Sequence, residues 1–196
     1  MRYGFVFLLT LVLSFSLGAG NTWAAIATPA EGEAFPVMTL AAPEKAAERE
    51  YLGLTGKGPF KISQVKSDLV IVEIFSMYCP YCQKEAPNMN ELYRLIDKNA
   101  DIRDRVKIIG IGAGNTAFEV DVFRKEYGIE FPLIPDEQFS VHKAVGEVRT
   151  PYFFVIRVNR DGSNKIVYSK VGSIQDPARF LEMVIEKAGL KREESR

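Results

Sequence analysis

Apolar residues along this chain recur with two different periods. Leu69 to Phe75 (LVIVEIF) is a continuous β-rich run interrupted by one acid, Glu73, and it predicts a central strand buried on both faces. It leads straight into Cys79. Beyond it, Ala86, Met89, Leu92, Tyr93 and Ile96 fall at helical spacing. They predict one amphipathic helix from Pro80 to about Lys98, with Pro87 expected to kink it. Val106 to Ile111 (VKIIGI) reads as the next strand. Thr116 and Glu119 have the spacing of a capping box ahead of Val122, Phe123 and Tyr127, and Gly128 stands as a stop. A short helix is expected around Phe139 to Val145. Tyr152 to Val158 and Lys165 to Val171 read as a hairpin whose turn holds Asn159, Asp161 and Gly162. Asp176 and Pro177 open a last helix with Phe180, Leu181, Val184, Ile185 and Ala188 on its apolar face and Gly189 after it.

The order strand, helix, strand, helix, hairpin, helix specifies an α/β fold. A three-layer sandwich follows, with a central mixed β-sheet, parallel first and antiparallel at the end, and helices on both faces. From Ala27 to about Lys66 the pattern is mixed, with turn signals at Thr55 to Pro59 and a short apolar piece at Val37 to Leu40. This segment reads as an N-terminal extension with one or two short strands. The domain itself is expected over 58–190, the extension over 25–57, and a polar tail over 191–196.

The first residues have a different pattern. Arg2 precedes an uncharged, mostly Phe, Leu and Val stretch from Tyr3 to Leu17, and small residues follow at Thr22, Ala24 and Ala25. That is the layout of a secretory signal peptide over 1–24, and its apolar run is shorter than a membrane span. The alternative is an uncleaved N-terminal anchor. Either way the remainder is exported, to the periplasm or another extracytoplasmic space.

Composition narrows the chemistry. The chain of 196 residues carries 25 basic and 25 acidic side chains, so it has no basic excess for a phosphate backbone, which argues against nucleic-acid binding. One histidine removes most zinc sites, and two cysteines cannot build a scaffold of several disulfides. They can supply one cysteine pair, and Cys79 and Cys82 stand three positions apart. Cys79 lies where a buried strand gives way to a helix, so backbone donors and the positive end of the helix dipole favour its thiolate. Cys82, one turn further in, is placed to resolve a mixed disulfide formed on Cys79. A structural disulfide is one alternative, but so short a loop restrains the unfolded chain weakly; a zinc site is the other, and it would need two more ligands with only His142 at hand. Gly110, Gly112 and Gly114 lack the spacing of a dinucleotide-binding loop, and His142 reads as a surface helix residue.

Strand LVIVEIF, the segment MYCPYC, Pro87 eight residues after the first cysteine, and Thr150-Pro151 before a strand together resemble the thioredoxin superfamily. Within it, Gln83 to Pro87 (QKEAP), Tyr127-Gly128-Ile129, Phe131-Pro132 and Asp136 resemble the exported TlpA/ResA-like thiol-disulfide oxidoreductases with their redoxin body. The resemblance implies a thioredoxin-like fold and catalysis by Cys79 and Cys82 without a cofactor or metal. Pro151 matches the family's cis-proline, so Thr150 and Pro151, with Pro80 and Tyr81 between the cysteines, are implied to meet the substrate. Glu73 matches the buried carboxylate behind the disulfide, and strand alternation points it inward. There its pKa would rise and it could take the proton of Cys82. Glu85 matches the active-site glutamate of the ResA-like branch. Protein thiols and disulfides are the implied partners, with apocytochrome c as a substrate and a membrane thiol carrier as electron donor. A monomer is expected.

Two departures qualify this. Tyr78 stands where most of that branch has tryptophan. Pro80-Tyr81 is the dipeptide of glutaredoxins, which lie roughly 40 to 70 mV more oxidising than thioredoxin. An oxidant or isomerase of folding proteins is therefore the rival to a reductant, and a metallochaperone on the same fold is the rival outside redox chemistry. The peroxidase pattern Pro-x-x-x-Thr-x-x-Cys is absent, with Ser76 at the threonine position.

Overall fold

The computed structural model describes residues 26–190; the leader expected over 1–24 and the tail over 191–196 lie outside the described residues. Five strands form one mixed sheet in the order β3-β2-β1-β4-β5. β1 (Leu69–Phe75) pairs parallel with β2 (Val106–Ala113) and antiparallel with β4 (Tyr152–Val158). β2 pairs parallel with β3 (Leu133–Asp136), and β4 pairs antiparallel with β5 (Asn164–Val171). All seven residues of β1 and all eight of β2 are buried, as expected of strands covered on both faces.

Strand alternation sends each face of the sheet to its own core. Leu69, Ile71 and Phe75 of β1 pack with Ile108, Phe153 and Val155 beneath α2 (Pro80–Asp97), α3 (Ala117–Tyr127) and α5 (Pro177–Lys187). Val70, Val72 and Ile74 face the other way, onto Phe35, Leu40, Leu52, Phe60 and the short helix α4 (Ser140–Ala144). The three-layer arrangement with helices on both faces is therefore what the chain forms. α2 runs unbroken through Pro87, which lies on its exposed side. Thr116 and Glu119 close their capping box at the head of α3, and Gly128, at φ 60°, ends it in the left-handed conformation.

Three features differ from the sequence reading. β3 was not anticipated: it is four residues long with Pro135 inside, and such a strand survives because it lies at the sheet's margin, where a missing donor costs nothing. The N-terminal extension contributes a single bridge, Leu40 to Phe60, and the helix α1 (Ala46–Tyr51) in place of short strands. It is also held to the domain: Glu48 pairs with Arg124 of α3 at 3.2 Å, while Gly32 donates to the Ile166 carbonyl and Ile166 donates to that of Glu33 on the outer side of β5. Finally, His142 is not a free surface residue. Its ring nitrogen Nε2 bonds the Val148 carbonyl at 2.8 Å, and its backbone N–H donates to Asp136, which also receives the Val141 N–H.

Candidate active site

The turn that presents Cys79 is short and held from both sides. Between the end of β1 and the start of α2 the Cys79 N–H donates to the Ser76 carbonyl at 3.0 Å. The Met77 N–H donates to Asn115 Oδ1 at 2.9 Å, and the Met77 carbonyl accepts from Gln83 Nε2 at 2.8 Å. Both backbone polar groups of Met77 are thus fixed by side chains arriving from the β2–α3 loop and from α2. Asn115 can approach because the neighbouring position is Gly112, where a Cβ would lie 2.9 Å from Val120 and 3.1 Å from Asn115 Cβ. Gly112, within β2, serves this close packing. Sequence reading did not single out Asn115 and took Gln83 only as part of a resemblance.

Cys79 is the N-cap of α2, with extended backbone at φ −85° and ψ 114°, and Pro80 follows in the first turn. That position sets the thiol over the unpaired N–H groups at the helix head. Partial burial raises the Cys79 pKa, but hydrogen bonding by the Thr150 hydroxyl, by Cys82 and by the Tyr81 N–H outweighs it and holds the thiol below its ordinary value. In its protonated form Cys79 donates to the Thr150 carbonyl at 3.4 Å. The Thr150–Pro151 peptide bond is cis.

Cys82 is fully buried on the inner face of α2, and both cysteines are free thiols. Burial, then the negative charge of Glu73, pushes the Cys82 thiol up. Glu73 takes its alternate place in the row Leu69, Ile71, Phe75, so it enters the same core as Cys82 and is 5% exposed. Burial raises its carboxyl to about 8, with the charges of Glu85 and Cys79 adding to the effect. The pair is therefore asymmetric in two ways: an accessible thiol that ionises readily, and a buried thiol that needs a base, with a carboxyl beside it.

Glu85, three residues after Cys82 and so on the same flank of α2, is buried beneath the β5–α5 loop. It accepts from the Ile174 N–H at 2.7 Å, from the Ser173 hydroxyl, and from Asn88 Nδ2 at 3.3 Å. Burial raises its pKa, and these three bonds act against the rise. Its contacts fasten α2 to the β5–α5 loop, and its charge reaches Glu73. Tyr78 and Tyr81 are exposed on either side of Cys79, and the Tyr78 hydroxyl donates to Glu119. Among the described residues no three His, Cys, Asp or Glu side chains are arranged to hold a metal ion, and no helix is long and apolar enough to cross a membrane.

The Redoxin family profile matches residues 30–184 of this chain. A thiol-disulfide oxidoreductase, ResA of Geobacillus thermodenitrificans, is 26% identical over 124 residues, which is 63% of this chain and 67% of that protein. Among solved structures, the thioredoxin domain of a thiol-disulfide oxidoreductase of Bacteroides vulgatus superposes with a TM-score of 0.60 at 15% identity, covering 80% of this chain and 99% of that one. A secreted Mycobacterium tuberculosis disulfide oxidoreductase homologous to E. coli DsbE has a TM-score of 0.53 at 15% identity, over 76% of this chain and 95% of that one.

Proposed function

Because the chain belongs to the Redoxin family and is a ResA-like thiol-disulfide oxidoreductase of the thioredoxin superfamily, we propose that Cys79 and Cys82 form its redox pair and that it acts outside the cytoplasm as a reductant of protein disulfides. The observation that carries the reading is the asymmetry of the pair: Cys79 at the helix head facing Thr150 and Pro151, Cys82 buried beside Glu73. The Cys79 thiolate attacks one sulfur of the partner's disulfide; an S–S bond forms to Cys79 and the partner's other sulfur leaves as thiolate. Cys82 then loses its proton to the Glu73 carboxylate and attacks the Cys79 sulfur. The partner departs with two electrons gained, and the pair is left as a disulfide for a second dithiol to reduce. Thr150 and Pro151 flank the attacked bond, where an extended segment can pair with the backbone. Pro80 and Tyr81 form the lip between the thiols, and Glu85 sets the charge behind them.

The apolar leader pattern of residues 1–24 supports export. An apocytochrome c with a CxxCH disulfide and a membrane thiol carrier suit a reductant of this branch. Pro80-Tyr81 favours the reverse direction, oxidation of folding proteins, and the reduction potential separates the two: a value close to that of strong oxidants removes the reductant. The mechanism itself is tested by two variants. Cys79→Ser should lose all reduction of insulin disulfides, and Cys82→Ser should accumulate mixed disulfides that name the partner. Full activity in Cys79→Ser would sink the assignment.

A further inference from the structure

Against the outer side of the redox pair lies a cavity of about 370 Å³. Its apolar walls are Tyr81, Pro151 and Val171, of which Tyr81 is 71% and Val171 48% exposed. Isolated exposed apolar residues are ordinary, but two that converge with a proline on one concave surface beside a reactive thiol mark a place where a side chain is received. The charged residues lining it are both cations, Lys84 from α2 and Arg149 from the residue before Thr150. Both are exposed, and neither has an ion-pair or hydrogen-bond partner among the described residues. No acid lines the cavity; Glu147, two residues before Arg149, is exposed but is not among its lining residues. Of the other acids around the thiols, Glu73 and Glu85 are buried and Glu119 is tied to Thr116 and Tyr78. The neighbouring cleft meets this one at Ser173 and adds Lys170 and Arg179, with Asp176 occupied as the cap of α5.

We propose that this cavity is a specificity subsite for the substrate segment next to the exchanged cysteine, and that it selects an acidic segment: an apolar side chain in the pocket, flanked by Asp or Glu facing Lys84 and Arg149. The inference rests on the thiol-disulfide reading above and adds the substrate's chemical class to it. Charge complementarity of this kind acts mainly on encounter and orientation, so it should appear in the rate of mixed-disulfide formation and weaken with salt. Partner proteins would be ranked by the charge around their cysteines, with acidic surroundings captured fastest.

The test uses the reduced protein and three disulfide-linked peptides of identical core, Leu next to the cysteine, flanked by Glu, Gln or Lys. At low ionic strength the Glu peptide should react about tenfold faster than the Lys peptide. The ratio should shrink toward one in about 1 M salt, where the Debye length is about 3 Å. In the charge-reversed double variant Lys84→Glu, Arg149→Glu, the preference should invert. Equal rates for the three peptides, or a preference for Lys, overturn the subsite while leaving the exchange chemistry in place. Failure of all three peptides to exchange overturns the thiol-disulfide reading on which the subsite depends.

Discussion

In the proposed mechanism the second half of the exchange turns on Glu73. As it sits among Leu69, Ile71, Phe75 and Cys82, its charged form is disfavoured and its carboxyl titrates at about 8. Resolution by Cys82 should therefore quicken as pH rises toward 8, and Glu73→Gln should flatten that profile and slow resolution by about 100-fold, with capture by Cys79 continuing. Stopped-flow decay of a preformed mixed disulfide measures it. Stability has the opposite sign. Below the ordinary carboxylate range folded and unfolded chains both hold this proton. As pH rises, the unfolded chain releases it while the folded chain keeps it until about 8, so stability falls across that window. Glu85, raised as well, adds to the fall. Tm measured at pH 5 and pH 8 should drop in the native protein and drop less in Glu73→Gln. The burial of Glu73 was legible in the sequence because the run around it is apolar on both faces, while its place behind the thiols came from the resemblance. Asn115 was not, since its bond to Met77 spans 38 positions and depends on a tertiary approach that no local period announces.

Elements rich in periodic apolar residues were legible for the same reason: β1, β2, α2, the β4–β5 hairpin and α5 each carry their own face. α1 and β3 carry too little. α1 buries none of its six residues, and β3 offers four positions of which one is proline. Their places are fixed by partners, α1 by the Glu48 to Arg124 pair and β3 by its parallel register with Gly110 to Ala113. Gly110 shows how tight that register is, since a Cβ there would meet Leu133 at 2.4 Å. Glu85 joins elements in the same manner. Replacing it by Ala strands the Ile174 N–H in a buried position and should cost about 1–3 kcal/mol, whereas Glu85→Gln keeps an acceptor and should cost less. Calorimetric unfolding of the two variants measures the difference. If Glu85 acted only by its charge, the two variants would shift Tm alike.

At the scale of the molecule, the sheet separates two cores, and the one opposite α2 is completed by residues from the N-terminal extension. Phe35 is 1% exposed and meets Phe154 edge-on with ring centroids 5.4 Å apart. Phe35→Ala should destabilise the whole fold by about 3–5 kcal/mol in chemical denaturation, as a core residue does. An extension that was a mere appendage would leave the midpoint unmoved. The way this segment lies on β5 reaches beyond stability. Gly32 and Glu33 consume the outward-facing groups of Ile166, Ser169 holds the Pro29 carbonyl, and β3 at the opposite margin is short and interrupted by Pro135. A sheet margin with free backbone groups is a template onto which another extended chain can add. With both margins blunted, an extended segment of another protein finds little free edge to lengthen, so a chance encounter does not grow into a shared sheet.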